Sequence, residues 1–165
     1  MQEIFSVRIF YRLAGNSVKG DMNMKTNKEI LSSILKTTQM GQIGIRCVLD
    51  SSMRPGLRKA LESQLQEYDQ IETEAHSIAA QRGWEVKELD PGIRFMSEMM
   101  TRAKLSYGNH DSKIADMMIQ GNTKGMVTGL KNIHQFNGQD AQIRTLSQKL
   151  LDSETANIRQ MQPFL

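Results

Sequence analysis

A carboxylate and an amide interrupt the apolar stripe of the last predicted helix. In the stretch LLDSETANIRQM, residues 150–161, Glu154 and Asn157 lie three positions apart and share one helix face. The rest of that face is apolar: Ile143, Leu146, Leu150, Ile158 and Met161. An inward carboxylate either ligates a metal ion or requires buried hydrogen-bond donors. The polar residues of the other helices decide between these two chemistries.

A second pair of potential ligands lies in the stretch EYDQIETEAH. Glu72 and His76 are four residues apart, and His76 points toward the flank of its apolar stripe. A single metal ion held weakly by Glu154, Glu72 and His76 is one interpretation. An exposed histidine on a charged helix flank is the other, and we favour it. His110 and His134 show no ligand spacing.

Helical periodicity extends through the chain from residue 27 and predicts an all-α fold with four long helices. Asn27 is a plausible N-cap, Pro55 suits the first turn of a helix, and Gly83 is a natural C-terminal cap. The predicted long helices cover residues 27–50, 55–83, 111–136 and 140–162. A shorter amphipathic helix is predicted over residues 93–103, between the second and third long helices.

The connection lengths carry most of the topological information. The turns after the first and third long helices are short, whereas the passage from Gly83 to His110 is long. A four-helix bundle with one long central crossover resembles the ferritin-like superfamily, over residues 26–165. The resemblance implies a ferritin-like bundle whose crossover carries the short extra helix.

Ferritin-like oxidases use a Glu from each of two helices and a Glu-x-x-His from each of the other two. This chain departs from that pattern, because Asn157 follows Glu154 where the histidine would stand. Counting from the turns places Asn122 opposite Glu154, and Thr38 near Tyr68, where carboxylates would be expected. We therefore expect that the metal site is lost and that the protein has no cofactor.

A hydrogen-bonded polar layer is the predicted replacement for the metal centre. It would supply hydroxyl and amide groups to the buried carboxylate and fix the register of the helices. Its predicted members are Thr38, Gln42, Tyr68, Glu72, Asn122, Glu154 and Asn157.

Glycines recur every four residues in the third long helix, at Gly121, Gly125 and Gly129. Each costs up to about 1 kcal/mol relative to alanine in a helix, so their repetition predicts close approach by another backbone. Gly41 and Gly44 are the possible counterparts, within the bundle or across a dimer interface. Tolerance of glycine on a packed face is the alternative.

Twelve methionines are a high count for 165 residues. Met96, Met99 and Met100 are predicted to cap the bundle end or to form an adaptable contact surface, and a copper-binding cluster is the alternative. Trp84, just after a helix end, is predicted to anchor the crossover to the bundle.

The first 25 residues differ in character from the bundle. Their apolar residues alternate, and Arg8 and Arg12 interrupt them, which does not suit a signal peptide. Codons for Lys19-Gly20-Asp21 can contain a bacterial ribosome-binding sequence. Residues 1–25 are therefore interpreted as an extension, with translation starting at Met22 or Met24 rather than at Met1. A short disordered or strand-like arm is the alternative.

Composition excludes several function classes. The net charge of +3 is spread along the chain, so nucleic-acid binding is not expected, and no apolar run approaches the roughly 20 residues of a membrane span. With Cys47 as the single cysteine, no intrachain disulfide can form, and a cytoplasmic location is expected. No phosphate loop, cysteine metal cluster, dinucleotide fingerprint or nucleophile–base pair is present.

Three functional hypotheses follow from these features. The leading one is a non-enzymatic helical bundle with a structural or interaction role, as a homodimer or part of an assembly. The second is a ferritin-like metalloprotein, of iron or manganese and oxidase type, with an atypical site. The third is a stress-associated protein that contacts DNA through assembly.

Overall fold

The structure is a computed structural model that describes residues 24–94, 110–136, 138 and 140–165. Within these ranges it is all-α, which confirms the all-α part of the prediction. The long helices are α1 (Asn27–Leu49), α2 (Pro55–Gln81), α3 (His110–Gln135) and α4 (Ala141–Met161). A 3₁₀ turn, Gln162–Phe164, follows α4 directly.

The helix starts are set by local side-chain chemistry. Thr26, not Asn27, is the N-cap of α1, because Thr26 and Glu29 form a reciprocal capping box. The Thr26 N–H donates to Glu29 Oε2 at 2.8 Å, and the Glu29 N–H donates to Thr26 Oγ1 at 3.3 Å. Asp140 caps α4, since its side chain accepts from two backbone N–H groups. The predicted cap of the first helix was therefore wrong by one residue.

The helix ends show how the four helices run. Arg54, just before α2, pairs with Asp111 at the start of α3. Arg82, just after α2, pairs with Asp140 at the start of α4 at 2.5 Å. Because α2 and α3 begin at the same end of the bundle, the connection between them must return along its length. Both short turns instead join antiparallel neighbours.

The core lies between all four helices and continues under the start of the crossover. Trp84 and Val86 pack against it, so Trp84 fastens the crossover where the chain leaves α2, as predicted. The fully buried members with the largest side chains are Tyr68, Ile30, Leu31, Ile34, Leu35, Ile45, Leu57, Leu61, Ile71, Ile114, Ile143 and Leu146.

The crossover then follows α1 toward the far end of the bundle. The Lys87 N–H donates to Ser32 Oγ at 3.0 Å, and the Leu89 N–H donates to Gln39 Oε1 at 2.9 Å. Residues 91–94 are helical. The remainder of the predicted extra helix, with Met96, Met99 and Met100, lies outside the described residues.

The described chain enters the bundle slightly earlier than the sequence predicted. The Lys25 backbone N–H donates to Gln135 O at 2.7 Å, and its ammonium donates to Asn132 Oδ1 at 2.9 Å. Lys25 therefore belongs to the bundle, although it was placed in the extension. Met24 is also among the described residues. The rest of the predicted extension, residues 1–23, lies outside them.

Candidate functional site

A small polar centre lies inside the bundle, where α2, α3 and α4 meet. Glu154 is 2% exposed, Tyr68 is 1% exposed and Asn122 is 6% exposed. The Tyr68 hydroxyl donates to Asn122 Oδ1 at 2.9 Å, which joins α2 to α3. We call Tyr68, Asn122 and Glu154 the central triad.

Burial changes the acid–base chemistry of this triad. Removal of Glu154 from water raises the pKa of its carboxyl group to about 8, although a hydrogen bond from Tyr68 acts in the opposite direction. The pKa of Tyr68 lies well above its usual value, first because of burial and then because of the charge on Glu154. Near neutral pH the carboxyl of Glu154 is therefore mostly protonated.

The Tyr68 hydroxyl has two acceptors within reach but only one proton. It donates to Asn122 Oδ1 in the described geometry, and it also interacts with Glu154. A protonated Glu154 leaves that single proton to Asn122, whereas an ionised carboxylate competes for it. The protonation state of Glu154 thus determines whether the Tyr68 hydroxyl donates to Asn122 or to Glu154.

Two glycines make room for the triad. A Cβ atom at Gly41 would lie 2.6 Å from the ring of Tyr68, and one at Gly125 would lie 2.8 Å from Glu154 Oε2 and closer still to Oε1. Real Cβ atoms do not approach side-chain atoms so closely. These glycines accommodate the two buried polar side chains, not another helix backbone as the sequence predicted.

The other three glycines differ from one another. A Cβ at Gly129 would lie 3.9 Å from the Leu151 Cα atom, which is a close approach of α3 to α4. At Gly44 it would only touch Met118 at 3.5 Å, and at Gly121 it would meet nothing within 4 Å. Within the bundle, the nearest atoms do not show the predicted pairing of glycines on the first and third long helices, whereas pairing across a dimer interface stays a prediction. Among these five glycines, Gly129 is the one whose nearest described atoms include backbone, and that backbone belongs to α4.

Several buried polar atoms at the centre have no partner among the described residues. They include one carboxyl oxygen of Glu154, Oε2, and the amide nitrogen of Asn122, Nδ2. The Thr38 hydroxyl also has no partner in the described part of the chain. The Asn157 amide nitrogen lies outside good hydrogen-bond geometry, but it interacts with the Tyr68 hydroxyl and acts to lower its pKa. Such groups are rare in native proteins and each calls for an explanation.

A cavity of about 470 Å³ opens from the central triad to the surface. Its sides come from α1 and α3, and all three triad members line it. Gly41, Gly44, Gly121 and Gly125 line it as well, together with Met117 and Met118. The polar centre is thus the inner end of a cavity between α1 and α3.

A second polar cluster lies apart from the triad, between α1, α2 and the crossover. Glu72 accepts from Gln39 Nε2 at 2.9 Å and from Gln42 Nε2 at 2.7 Å. Gln42 also donates to Asp69 at 2.8 Å, and Gln39 accepts from the backbone of Leu89. The predicted layer is therefore two separate clusters, because Gln42 pairs with Glu72 and Asp69 and not with Glu154.

The charge state of this second cluster is opposite to that of the triad. Partial burial acts to raise the pKa of Glu72, but the hydrogen bonds from Gln39 and Gln42, with the positive charge of Arg46 and of protonated His76, outweigh it. The net result is a lowered pKa, so Glu72 is ionised near neutral pH. At Glu72 two amide donors outweigh burial and lower the pKa, whereas at Glu154 the single hydroxyl of Tyr68 does not outweigh burial.

The residues considered as metal ligands are not brought together. His76 lies 3.9 Å from Glu72 and 3.4 Å from Glu88, on the surface beside the crossover. Glu154 lies in the central triad instead. No group of three or more His, Cys, Asp or Glu side chains in the described ranges could hold a metal ion.

Sequence reasoning missed Gln39, which is 2% exposed and holds the crossover to α1. Its spacing of three from Gln42 is the available signal, because both amides then lie on one helix face. Gln64 was also missed, and it pairs with Gln160 across α2 and α4 at 2.7 Å.

Comparisons with known proteins bear on the fold. A DUF305 fragment from Deinococcus radiodurans superposes with a TM-score of 0.68 at 12% identity, covering 83% of this chain and 93% of that one. A conserved hypothetical protein from Mycobacterium tuberculosis superposes with a TM-score of 0.66 at 12% identity, covering 90% and 100%. No family model and no curated protein matches the sequence. At this identity the likeness concerns the fold alone.

The membrane prediction can be examined on the described helices. None of the helices in the described ranges is both long enough and apolar enough to cross a bilayer.

Proposed function

We propose that this protein is a non-enzymatic, ferritin-like helical bundle with a structural or interaction role, in which the central triad takes the place of a metal centre. The topology supports the ferritin-like part of the proposal. Two antiparallel helix pairs are joined by one long crossover between α2 and α3, whose starts lie at the same end.

The observation that carries the proposal is the isolation of the Glu154 carboxyl group. The Tyr68 hydroxyl and Gly125 lie against it, and Glu154 is the acidic residue in the described lining of the cavity. Glu72, the other carboxylate considered, is occupied by the amides of Gln39 and Gln42. A di-iron site needs several carboxylates that share the metal ions, and this arrangement does not supply them.

The partner we propose is a second copy of the chain or another protein in an assembly, in the cytoplasm. Nucleic acid is not proposed as a partner, because the charge of +3 results from 21 basic and 18 acidic residues spread along the chain. Sedimentation velocity of the full chain tests the assembly. A concentration-independent monomer would contradict it.

Metal analysis of protein purified without an affinity tag tests the main proposal against an atypical metalloprotein. The expected result is less than about 0.1 equivalents of iron, manganese, zinc or copper, since a lone protonated carboxyl is a poor ligand. Glu154→Ala is expected to leave this content unchanged. Stoichiometric metal that disappears in Glu154→Ala, but persists in the matched variant Glu67→Ala on the surface, would overturn the proposal.

A further inference from the structure

We propose that the cavity between α1 and α3 binds a neutral, flat small molecule bearing a carboxamide or lactam group, which pairs with Asn122 and Glu154. The ligand carbonyl would accept from Asn122 Nδ2, and the ligand N–H would donate to Glu154 Oε2. This proposal goes beyond the structural role proposed above. It rests on that role in one respect, namely that no metal ion occupies Glu154.

The unpaired atoms give the strongest argument. Glu154 and Asn122 are more than nine-tenths buried, both line the cavity, and Oε2 of one and Nδ2 of the other have no partner among the described residues. Asn122 Oδ1 already accepts from Tyr68, so the group of this amide that lacks a described partner is the donor Nδ2. A ligand must therefore offer an acceptor to Asn122.

The protonation state of Glu154 selects a neutral partner. With a pKa of about 8, its carboxyl group carries both a donor and an acceptor near neutral pH. A carboxamide is complementary to such a group, since its carbonyl accepts and its N–H donates. A carboxylate ligand has only acceptors, and an amidinium has only donors.

The shape and polarity of the walls favour a flat, largely apolar body. Gly121 lines the cavity, and a Cβ atom there would meet nothing within 4 Å, so a flat ring can lie close to the backbone of α3 at this point. Met117 and Met118 also line the cavity, and methionine side chains are flexible and make favourable sulfur–aromatic contacts. A ring carrying a carboxamide suits this lining.

The charges at the mouth disfavour a cation. Lys36 and Lys124 line the outer part of the cavity, and both are exposed. Glu154 is the acidic residue of the lining, and it lies at the inner end. A cationic ligand would have to pass the two lysines and then ionise Glu154.

Three probes of almost equal shape test the hydrogen-bonding pattern: benzamide, benzamidine and benzoate. Each is titrated into the full chain, and the backbone amide resonances of the cavity glycines are followed by NMR. Benzamide is expected to bind weakly, with a dissociation constant of about 1–10 mM for so small a ligand. The other two are expected to bind at least about tenfold more weakly, since one good hydrogen bond is worth that factor.

Gly121→Met is the blocking variant. A Cβ at Gly121 meets nothing within 4 Å, so a side chain there can fill the cavity without disturbing the fold. Benzamide binding is expected to fall more than about tenfold while the melting temperature stays equal or rises. Lys131→Met, an exposed position of α3 outside the cavity, is the matched control and is expected to bind like the parent.

Asn122→Asp tests the direction of the hydrogen bonds, because it replaces the free donor by an acceptor. Benzamide binding is expected to weaken at least about tenfold. Equal shifts with all three probes, a preference for benzamidine, no shift with benzamide at about 20 mM, or undiminished binding to Gly121→Met would each overturn the inference. Metal analysis of the same sample tests the proposed function separately.

Discussion

Glu154 is a residue at which burial and ionisation conflict. Its folded pKa of about 8 exceeds its ordinary value of 4.5, so the folded state holds a proton that the unfolded chain releases between these values. The stabilising contribution is complete below about pH 4.5 and is lost as the pH rises to about 8. We expect the free energy of unfolding to fall across this window by on the order of 3–5 kcal/mol.

Glu154→Gln removes the titration, so its free energy of unfolding should vary much less between about pH 5 and pH 8. Urea denaturation of both proteins across this range measures the difference. Glu72→Gln is the control, because the pKa of Glu72 is lowered and its contribution is lost only as the pH falls through the acid range. Parallel pH profiles for the parent and Glu154→Gln would show that Glu154 is not desolvated.

The glycines of α3 give a second prediction at the residue scale. Gly125→Ala should lower the free energy of unfolding by about 1–3 kcal/mol, because its Cβ would overlap the Glu154 carboxyl group. Gly121→Ala should instead raise it by up to about 1 kcal/mol, since it gains helix propensity without a clash. Thermal and urea denaturation measure both changes.

The double variant Gly125→Ala with Glu154→Ala isolates the cause of the Gly125 effect. The shorter side chain removes the overlap, so the methyl group at residue 125 should then cost at least about 1 kcal/mol less than in the parent. Strict additivity of the two changes would contradict the contact between Gly125 and Glu154.

At the scale of elements, one glutamine is the partner of a buried backbone N–H of the crossover. Gln39 accepts from the Leu89 backbone and donates to Glu72, so it links the crossover to α1 and α2. Gln39→Met leaves the Leu89 N–H without its partner, which should cost about 1–3 kcal/mol locally. Hydrogen exchange at the Leu89 amide should accelerate by roughly tenfold or more.

Gln42→Met is the matched variant for this prediction. Gln42 also donates to Glu72, and it donates to Asp69, but it makes no hydrogen bond to the described part of the crossover, residues 82–94. It should lower stability while leaving Leu89 exchange close to that of the parent. Equal acceleration in both variants would show that Glu72, and not the Leu89 contact, holds the crossover.

The elements themselves could be predicted from sequence, whereas their polar contacts could not. Apolar periodicity with Pro55 and Gly83 placed the helix bounds within a few residues, because these signals are local. A helical face does not, however, identify its partner. Gln42 shares the inward side of α1 with Thr38, yet it reaches Glu72 and Asp69 rather than the central triad.

The glycine prediction failed for a related physical reason. Repeated glycines indicate that something approaches the helix closely, but the pattern does not say whether it is a backbone or a side chain. At Gly41 and Gly125 it is a buried tyrosine and a buried glutamate. Glycine is required where these two bulky polar side chains lie. The periodicity of the sequence does not reveal these positions.

At the scale of the whole molecule, two ion pairs at opposite ends tie the helices together. Arg54 and Asp111 join the starts of α2 and α3, while Arg82 and Asp140 join the end of α2 to the start of α4. Each ion pair joins two segments that lie far apart in the sequence. Because all four helices also share one core, we expect the described helices to unfold together and not as two hairpins.

The single tryptophan allows this cooperativity to be tested. Trp84 reports on the bundle end where α2 finishes, whereas far-UV circular dichroism reports on all helices. Asp111→Asn weakens the opposite end, because Asp111 also accepts from the Arg54 backbone N–H at 3.2 Å. For one cooperative unit, both probes should give coincident urea transitions, and the variant should shift both by the same about 1–3 kcal/mol. A tryptophan transition that stays in place while the helical signal shifts would mean that the hairpins unfold separately.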